Sequence, residues 1–495
     1  MQWWQAEPDA IAMGAVPDVD DLTHDSRMAA PTTAFAAVPG RRFDGHAFLQ
    51  QALDAGAPAC VVQASRQEMW TAFAGRVPLV VVADVRHALG YLAAAVHGNP
   101  SATLRTVGVT GTDGKTTTAH LIGHVLENCG LKAGYLSSAG FHAGAGFELN
   151  ATHMTTVEAT TIQSMLAKAL LNQREAMVVE ASSEGLAQGR LNGCLPDVAV
   201  FTNLSRDHLD FHGTMERYRE AKGLLFAMLD LPSEKSFPKA AIVNAADEAS
   251  EYMLARSSAP AVTYGLEADA DFRGLNLETE GFSLRFDIQA GGRTLPARVP
   301  LIGRFNAYNC LAAVATACSQ EIAFAAAVDA LATFPGVPGR MDRIDEGQRF
   351  AVFVDIASTP AAMENVLNAL RPATKGDLWV MFGAAGGRDP GRRDGLGRVA
   401  GRFADRCVLT NEDPRDEDPD AIIATIATAL REAGRVEGRD FVCLPDRREA
   451  IRHVFEHAAP GDTVLLAGKA TEATMDFAAG PVPWDERAVA RALLR

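Results

Sequence analysis

Short apolar runs, each followed by apolar residues at three- and four-residue steps, recur through most of the chain. The clearest case begins at Leu104. The run 104–109 predicts a buried strand, and Ala119, Leu121, Ile122, Val125 and Leu126 then recur at helical spacing. Runs of the same kind predict strands at 59–62, Leu79–Val82, 177–180 and 198–203. Past Arg340 the alternation resumes, with strands at 350–356, Leu378–Phe382, Arg406–Leu409 and Thr463–Ala467 and helices between them. Residues 87–97 predict an amphipathic helix that stops at Gly98-Asn99-Pro100. Residues 282–288 alternate apolar and polar, the signature of a half-buried antiparallel strand. Leu301 to Asn309 lead into an alanine-rich helix reaching Cys318.

Two glycine- and proline-rich stretches, 98–101 and 334–339, divide this pattern as linkers. Together with a length of 495 residues, too long for one core, they predict three α/β domains: 1–102, 103–336 and 337–495, the last doubly wound and Rossmann-like. The net charge of −15 speaks against broad binding to nucleic acid or a membrane surface. Seven scattered cysteines fit a reducing compartment. No charged-then-apolar leader and no apolar run of membrane length stand out, so the expected location is the cytoplasm.

The turn Gly111-Thr112-Asp113-Gly114-Lys115-Thr116-Thr117 carries the most chemistry. Strand, glycine turn and helix form the setting of a phosphate-binding loop. Glycines let backbone N–H groups approach phosphate oxygens, and the helix N-terminus adds its positive end. Lys115 supplies a charge for the terminal phosphates, and the Thr116 hydroxyl is placed to ligate Mg²⁺. The spacing is shorter than usual, since the position of the first glycine in the common motif is Val109.

Strand 177–180 ends in Glu180, and strand 198–203 leads into Asn203 and the 205–210 loop with His208. Ligands bind outside such strand ends, so phosphate loop, Glu180 and His208 can meet at one sheet edge. Glu180 reads equally as a surface carboxylate, and His208 as a loop histidine. Lys222 falls in the apolar stripe of a helix predicted over 215–229, with Met215, Tyr218, Leu225 and Leu229. On pattern alone it is first a lysine whose stem covers apolar surface. The other role is a desolvated amine that takes up CO₂ as a metal-ligating carbamate. Asn309 reads as a contact to a base or as a helix cap. Residues 25–27 and 40–46 form polar loops suited to binding or merely to solvation.

With Thr110 to Thr117, Glu180-Ala181-Ser182-Ser183 continuing to Gln188-Gly189-Arg190, and above all Phe201 to Lys222, the chain resembles the Mur ligases over nearly its whole length. Within that family it is most similar to the branch that joins a third amino acid to UDP-MurNAc-L-Ala-D-Glu. The resemblance implies a uridine-binding N-terminal domain, a central ATP-binding domain and a C-terminal domain that binds the amino acid. It implies ATP and Mg²⁺ as requirements, a carbamate on Lys222, and a UDP-MurNAc-dipeptide and a free amino acid as partners of a monomeric cytoplasmic enzyme. Thr116, Glu180, His208 and carbamylated Lys222 align with metal ligands, and Lys115, Glu180, His208 and Lys222 with the catalytic set. Gly111, Thr112, Asp113, Gly114, Lys115, Thr116, Thr117, Asn309, Arg340 and Asp355 align with ATP contacts. Ser26, Thr155, Thr156, Ser182, Gln188 and Arg190 align with contacts to the acceptor. Arg388, Asp413, Arg415, Gly468 and Glu472 align with the amino-acid site.

The chain departs from the family at Asp113, Glu184, Asp355-Ile356-Ala357-Ser358, Gly383 to Asp389 and Gly468-Lys469-Ala470-Thr471-Glu472. Where diaminopimelate enzymes read Asp-Asn-Pro-Arg, this chain has Glu412-Asp413-Pro414-Arg415. Arg415 suits a carboxylate. Asp413 with Glu472 suits an ammonium, which places lysine and ornithine beside meso-diaminopimelate as third amino acids. Two other readings follow from the departures: a paralogue with a different acceptor, such as a polyglutamate-type or specialised amide ligase, and a non-catalytic nucleotide-binding protein.

Overall fold

Apolar runs become fully buried strands here because helices cover both faces of parallel sheets. The computed structural model describes residues 2–40, 43–144, 146–152, 154–267 and 269–495. They form two compact units, Met1–Arg273 with Asn309–Ala330, and Gly274–Tyr308 with Leu331–Arg495.

In the first unit the strand Arg105–Thr110 lies between Ala176–Glu180 and Val198–Phe201, parallel to both. The register sets Glu180 opposite Val109 and Phe201 opposite Thr110. Ala133–Leu136 extends the sheet on one side, and Ala240–Asn244 and Ala261–Gly265 extend it on the other, all parallel. The loops after these strands therefore leave from one edge. A second sheet in this unit, unannounced in part by the sequence, orders Ile11–Met13, Leu79–Val82, Cys60–Gln63, Thr33–Ala36 and Asp21–Thr23. Only Ile11–Met13 is antiparallel to its neighbour.

The helix Val85–Val96 starts two residues before the periodicity suggests, because the Asp84 carboxylate caps the N–H groups of Arg86 and His87 at 2.9 and 3.2 Å. It packs against the helix Ala159–Leu171. The approach of Val85–Val96 to the loop 188–197 is backbone to backbone: a Cβ on Gly90 would lie 2.2 Å from the Asn192 carbonyl oxygen. The stretch 98–101, expected as a linker, is a fastening point instead. Ser101 is buried, donates to the Gly193 carbonyl at 3.1 Å and accepts from the Leu195 N–H at 3.2 Å. Lys235 donates to the carbonyls of Ser101, Leu104 and Leu195 at 3.1, 2.9 and 2.7 Å, and pairs with Asp197 at 2.5 Å. Asp197 in turn accepts from the Thr106 N–H at 2.8 Å, at the start of the strand that feeds the phosphate loop.

In the second unit the sheet order is Asp342–Ile344, Ala351–Asp355, Thr463–Ala467, Leu378–Phe382, Arg406–Leu409 and Phe441–Cys443. All neighbours are parallel except the first pair. Phe353, Val380, Phe382, Leu409 and Leu465 face the helices Pro360–Leu370, Gly391–Phe403 and Pro419–Glu432. Val352, Val354, Met381, Val408 and Leu466 face Arg447–His457 and Glu486–Leu494. This is the doubly wound arrangement read from the alternation. The alternating stretch near 282 is the strand Ser283–Ala290, antiparallel to Arg293–Val299, with Leu284, Phe286 and Ile288 buried.

Two changes test these fastenings. Gly90→Ala pushes a methyl into the Asn192 carbonyl and should lower unfolding free energy by about 1–3 kcal/mol in urea titration. Lys235→Met strands a buried carboxylate and should cost about 3–5 kcal/mol. The double change Lys235→Met with Asp197→Asn should recover a large part of that loss, measured in the same titration.

Candidate active site

The turn after Arg105–Thr110 closes in four residues, and the helix Lys115–Asn128 begins at once. Its two glycines are sterically required. A Cβ on Gly111 would lie 1.8 Å from Thr202 Oγ1, and one on Gly114, whose φ is +82°, would lie 2.6 Å from Asn309 Oδ1. The neighbouring strand end shapes the turn. Asn203 accepts from the Asp113 N–H through its side chain at 2.9 Å and from the Thr112 N–H through its backbone at 2.8 Å. Its amide donates to the Asp113 carbonyl at 3.1 Å, and the Thr202 hydroxyl donates to the same oxygen at 2.7 Å. The short spacing at Val109 thus gives a loop braced by Thr202 and Asn203.

Lys115 curls back over this turn and donates to the carbonyls of Gly111 and Thr112 at 3.1 and 2.8 Å. The Thr116 hydroxyl lies 3.1 Å from both carboxylate oxygens of Glu180 and 2.8 Å from Ser138 Oγ. The Ser138 N–H donates to Glu180 Oε2 at 2.8 Å. Glu180 is 2% exposed, which removes the surface-carboxylate reading. Among the described residues no Lys, Arg or His side chain is paired with it. A buried carboxylate met by one hydroxyl and one backbone N–H suits a divalent cation beside the phosphate loop. No three His, Cys, Asp or Glu side chains converge as a cage among the described residues. Such a cation would need further ligands from outside this cluster, phosphate oxygens and water among them.

Lys222 is on the helix Met215–Ala227 and is 1% exposed. Its Nζ donates to the Gly111 carbonyl at 2.5 Å and lies 4.2 Å from the centre of the Tyr218 ring. A snorkelling lysine keeps its head in water, and this one does not. Burial, reinforced by Lys115, pushes its pKa well below the ordinary lysine value, against the opposing pull of Asp207 and Asp113. The Tyr218 hydroxyl is 3.1 Å from Thr112 Oγ1, which ties this helix to the phosphate loop. His208 has a left-handed backbone at φ +51°, an exposed side chain and Asp207 at 3.4 Å. Its ring stands 6.0 Å from that of Tyr218.

Thr117 is half-buried in the first helical turn. Asn309 lies well inside the helix Arg304–Ser319, so it is no cap, and its Oδ1 accepts from Thr118 Oγ1 at 3.1 Å beside Gly114. Arg340 and Asp355 belong to the second unit. Asp355 ends the strand Ala351–Asp355, is buried, and accepts from the N–H groups of Met341 and Ala357 at 2.7 Å each. Burial raises its pKa and Arg340 opposes the rise.

The residues assigned to the acceptor are gathered just beyond Glu180. Thr156 Oγ1 donates to the Glu180 carbonyl and accepts from the Ser182 N–H, both at 2.8 Å. Ser182 caps the helix Ser183–Ala187 through the Gly185 N–H at 3.1 Å. Arg190 donates to the Thr156 carbonyl at 2.6 Å and to Gln188 Oε1 at 2.9 Å. Thr155 is half-buried next to them. Arg86 reaches the same Gln188 oxygen at 3.4 Å and the Pro39 carbonyl at 3.2 Å, so it bridges to the N-terminal loops. There Ser26 is buried and donates to Gln51 at 2.9 Å. His46 is buried between Asp44 at 2.6 Å and the Gln63 N–H at 2.9 Å, a structural brace. Arg41 and Arg42 of the 40–46 loop lie outside the described residues.

In the second unit the loops that carry Arg388, Asp413, Arg415, Gly468 and Glu472 all leave the carboxyl ends of sheet strands. Arg388 is exposed. Arg415, at φ +54°, donates to the Gly386 carbonyl at 3.3 Å. Gly468, at φ +104°, leaves no room for a side chain, since a Cβ would lie 2.7 Å from Glu412 Oε2. Asp413 and Glu472 do converge, but not on open space. The buried Lys469 ammonium donates to Asp413 Oδ1 at 2.7 Å and also to Glu472 Oε2. The acid pair that the sequence offers to a substrate ammonium thus already shares one internal cation, which leaves one of its two negative charges unmatched within the triad.

Sequence reasoning missed several functional neighbours. Ser138 follows a strand that the pattern did not flag. His212, buried, holds Ser183 Oγ at 2.9 Å and sits 5.2 Å from the Tyr218 ring. Arg447, buried with Glu486 at 2.7 Å, donates to the carbonyls of Asn411 and Ala467 at 2.9 and 2.8 Å, bracing the loops of Asp413 and Gly468. Nothing local marks an arginine for this task.

Residues 18–97 match the family described as Mur ligase family, catalytic domain, 109–317 the Mur ligase middle domain, and 339–470 the Mur ligase, glutamate ligase domain. The UDP-N-acetylmuramyl-tripeptide synthetase of Roseiflexus sp. (strain RS-1) is 41% identical over 97% of this chain and 95% of its own. The UDP-N-acetylmuramoyl-L-alanyl-D-glutamate–2,6-diaminopimelate ligase of Geobacillus thermodenitrificans (strain NG80-2) is 39% identical over 98% of this chain and 96% of its own. A solved structure of a UDP-N-acetylmuramoyl-L-alanyl-D-glutamate–2,6-diaminopimelate ligase superposes with a TM-score of 0.68 at 29% identity, covering all of this chain and 98% of that one. With its braced phosphate loop, three-domain α/β architecture and relatives matched end to end, the chain belongs to the Mur ligases, ATP-dependent enzymes that form amide bonds.

Proposed function

We propose that this chain adds the third amino acid to UDP-MurNAc-L-Ala-D-Glu during assembly of the peptidoglycan precursor, with ATP converted to ADP and phosphate. The observation that carries this reading is the phosphate loop set against buried Glu180 and Lys222, in a chain matched along 97% of its length by a tripeptide synthetase. On this reading residues 1–102 hold the uridine end of the acceptor, 103–336 hold ATP and the reacting carboxylate, and 337–495 hold the amino acid. The reaction takes place in the cytoplasm.

The chemistry has two bond-forming steps. A carboxylate oxygen of the D-Glu side chain attacks the γ-phosphorus of ATP, and the bond to ADP breaks. The amine of the incoming amino acid then attacks the acyl carbon and loses a proton as phosphate departs. Phosphoryl transfer needs positioning and charge stabilisation more than covalent help. Lys115 and the N-terminus of the helix Lys115–Asn128 face the phosphates. Thr116 and Glu180 would hold Mg²⁺, with His208 and a carbamate on Lys222 completing the set. That ion supplies positive charge to the transferring phosphoryl group. Ser182, Gln188 and Arg190, braced through Thr156, orient the acceptor. Thr155 and Ser26 touch it further along. Arg388, Asp413, Arg415, Gly468 and Glu472 surround the amino acid, and Asn309, Arg340 and Asp355 serve the adenosine.

Lys222 is suited to carbamate formation, because its neutral amine attacks CO₂ and releases a proton. Its depressed pKa means that the neutral form is reached at a lower pH than for a free lysine, so labelling should grow as pH rises through that value.

The reading is tested by phosphate release with ATP, Mg²⁺ and UDP-MurNAc-L-Ala-D-Glu, offering meso-diaminopimelate, L-lysine and L-ornithine separately. Turnover with at least one is expected; silence with all three, from protein that binds ATP, would point to a different acceptor. Lys222→Ala should lose at least about 100-fold in kcat, with no recovery at high bicarbonate. Full activity in that variant would remove Lys222 from the mechanism. ¹³C-bicarbonate should give a carbamate resonance in the wild type that grows with pH and is missing from Lys222→Ala.

A further inference from the structure

At the amino ends of the strands Leu378–Phe382, Arg406–Leu409, Phe441–Cys443 and Thr463–Ala467 the second unit holds a cavity of about 610 Å³. The strands are parallel, so this is the end of the sheet away from the loops of Asp413 and Gly468. No step of the ligase chemistry uses it. His453 and His457, from the last two turns of the helix Arg447–His457, line one wall.

The order His453-Val454-Phe455-Glu456-His457 sets the two imidazoles four residues apart, on one face of the helix. Helices hold metal ions with histidine pairs at this spacing. The rings stack with centroids 4.1 Å apart. His457 Nδ1 lies 2.8 Å from the His453 carbonyl oxygen. A carbonyl only accepts, so Nδ1 carries the proton and Nε2 keeps an open lone pair. Donation of one ring N–H to a backbone carbonyl is how metal-binding histidines are oriented. Among the described residues no hydrogen bond occupies the His453 ring. Burial, then the neighbouring His457, lowers the His453 pKa, against the pull of Glu456, which keeps that ring a neutral ligand. The negative end of the helix dipole at His457 adds to the attraction for a cation.

The other polar groups of the cavity are already engaged. Asp377 pairs with Arg406 at 3.1 Å, and Asp440 with Arg439 at 2.8 Å. Asp462 accepts from Trp379 Nε1 at 3.0 Å and from the N–H groups of Asp377 and Ala459 at 2.8 and 2.9 Å. These three carboxylates and two guanidiniums leave the lining, apart from its imidazoles, with one negative charge in excess. Burial pushes the Cys407 thiol up to about 12, so no thiolate forms there. The imidazole pair is thus the open ligand set of a cavity whose charge favours a cation.

We propose that His453 and His457 chelate one divalent transition-metal ion of borderline softness, the class of Zn²⁺, Ni²⁺ and Cu²⁺, through one ring nitrogen each. No third His, Cys, Asp or Glu joins them among the described residues, so water fills the remaining positions. Imidazole suits these ions, whereas Mg²⁺ and Ca²⁺ take oxygen ligands, so the site differs in kind from the one beside the phosphate loop.

The test titrates Zn²⁺ into untagged protein, with Mg²⁺ in large excess, against a chromophoric chelator. The wild type should bind one ion more than His453→Gln or His457→Gln. Each substitution leaves a single imidazole and should weaken that site at least about tenfold. Ni²⁺ and Cu²⁺ should compete for it, Cu²⁺ most strongly. Loaded with one equivalent of Cu²⁺, the wild type should show two coordinated imidazoles by pulsed electron paramagnetic resonance, a reading that stands even where a variant fails to fold. Zn²⁺ binding that is the same in both variants as in the wild type overturns the proposal. So does a loss confined to one variant, or a Cu²⁺ spectrum with fewer than two imidazoles.

Discussion

Two lysine side chains, Lys115 and Lys222, converge on the carbonyl oxygen of Gly111 at 3.1 and 2.5 Å. Two full ammonium charges on one buried carbonyl repel each other, and desolvation penalises the more buried of them. The arrangement is comfortable when Lys115 is charged and Lys222 is not. That single constraint links the phosphate loop to the helix Met215–Ala227 and singles out Lys222 as the amine with altered chemistry. It also explains why Gly111 must be glycine. The turn has to press against Thr202 for its carbonyl to face both lysines.

The rest of the first unit reads as support for that contact. Asn203 and Thr202 brace the turn from the next strand, and Tyr218 reaches Thr112 from the Lys222 helix. Glu180 is delivered opposite Val109 by the register of adjacent parallel strands, which brings its carboxylate under the first turn of the phosphate-loop helix. The buried Lys235–Asp197 pair ties down the other end of the same strand through the Thr106 N–H. Both ends of Arg105–Thr110 are thus held by side chains from distant parts of the chain.

The second unit repeats the logic with different chemistry. Its loops leave the strand ends of a doubly wound sheet, where backbone strain is tolerated because the sheet beneath is rigid. Arg415 and Ala470 adopt left-handed backbones without being glycine. Arg447, paired with Glu486 in the interior, donates to one carbonyl before each of these loops. Lys469 then joins them across their acidic side chains.

The hydrophobic pattern by itself determined many strands of the parallel sheets, four of them to the residue, because burial on two faces leaves an uninterrupted apolar run; Ala133–Leu136, Ala240–Asn244, Ala261–Gly265 and Phe441–Cys443 went unmarked. The phosphate loop, Glu180 and Lys222 were legible for a similar reason: glycine turns, strand ends and a charge in an apolar stripe are local signals. What the tertiary structure decided is every question of partnership. The stretch 98–101 looked like a linker and proved to be anchored by Ser101 and Lys235. Asn309 read as a cap or a base contact, and its place inside a helix, packed on Gly114, removes the cap. Asp413 and Glu472 looked like open acids and proved to share Lys469. Composition and spacing report which groups a chain carries. Whether a charge is satisfied depends on residues tens to hundreds of positions away, and only the folded backbone brings those together.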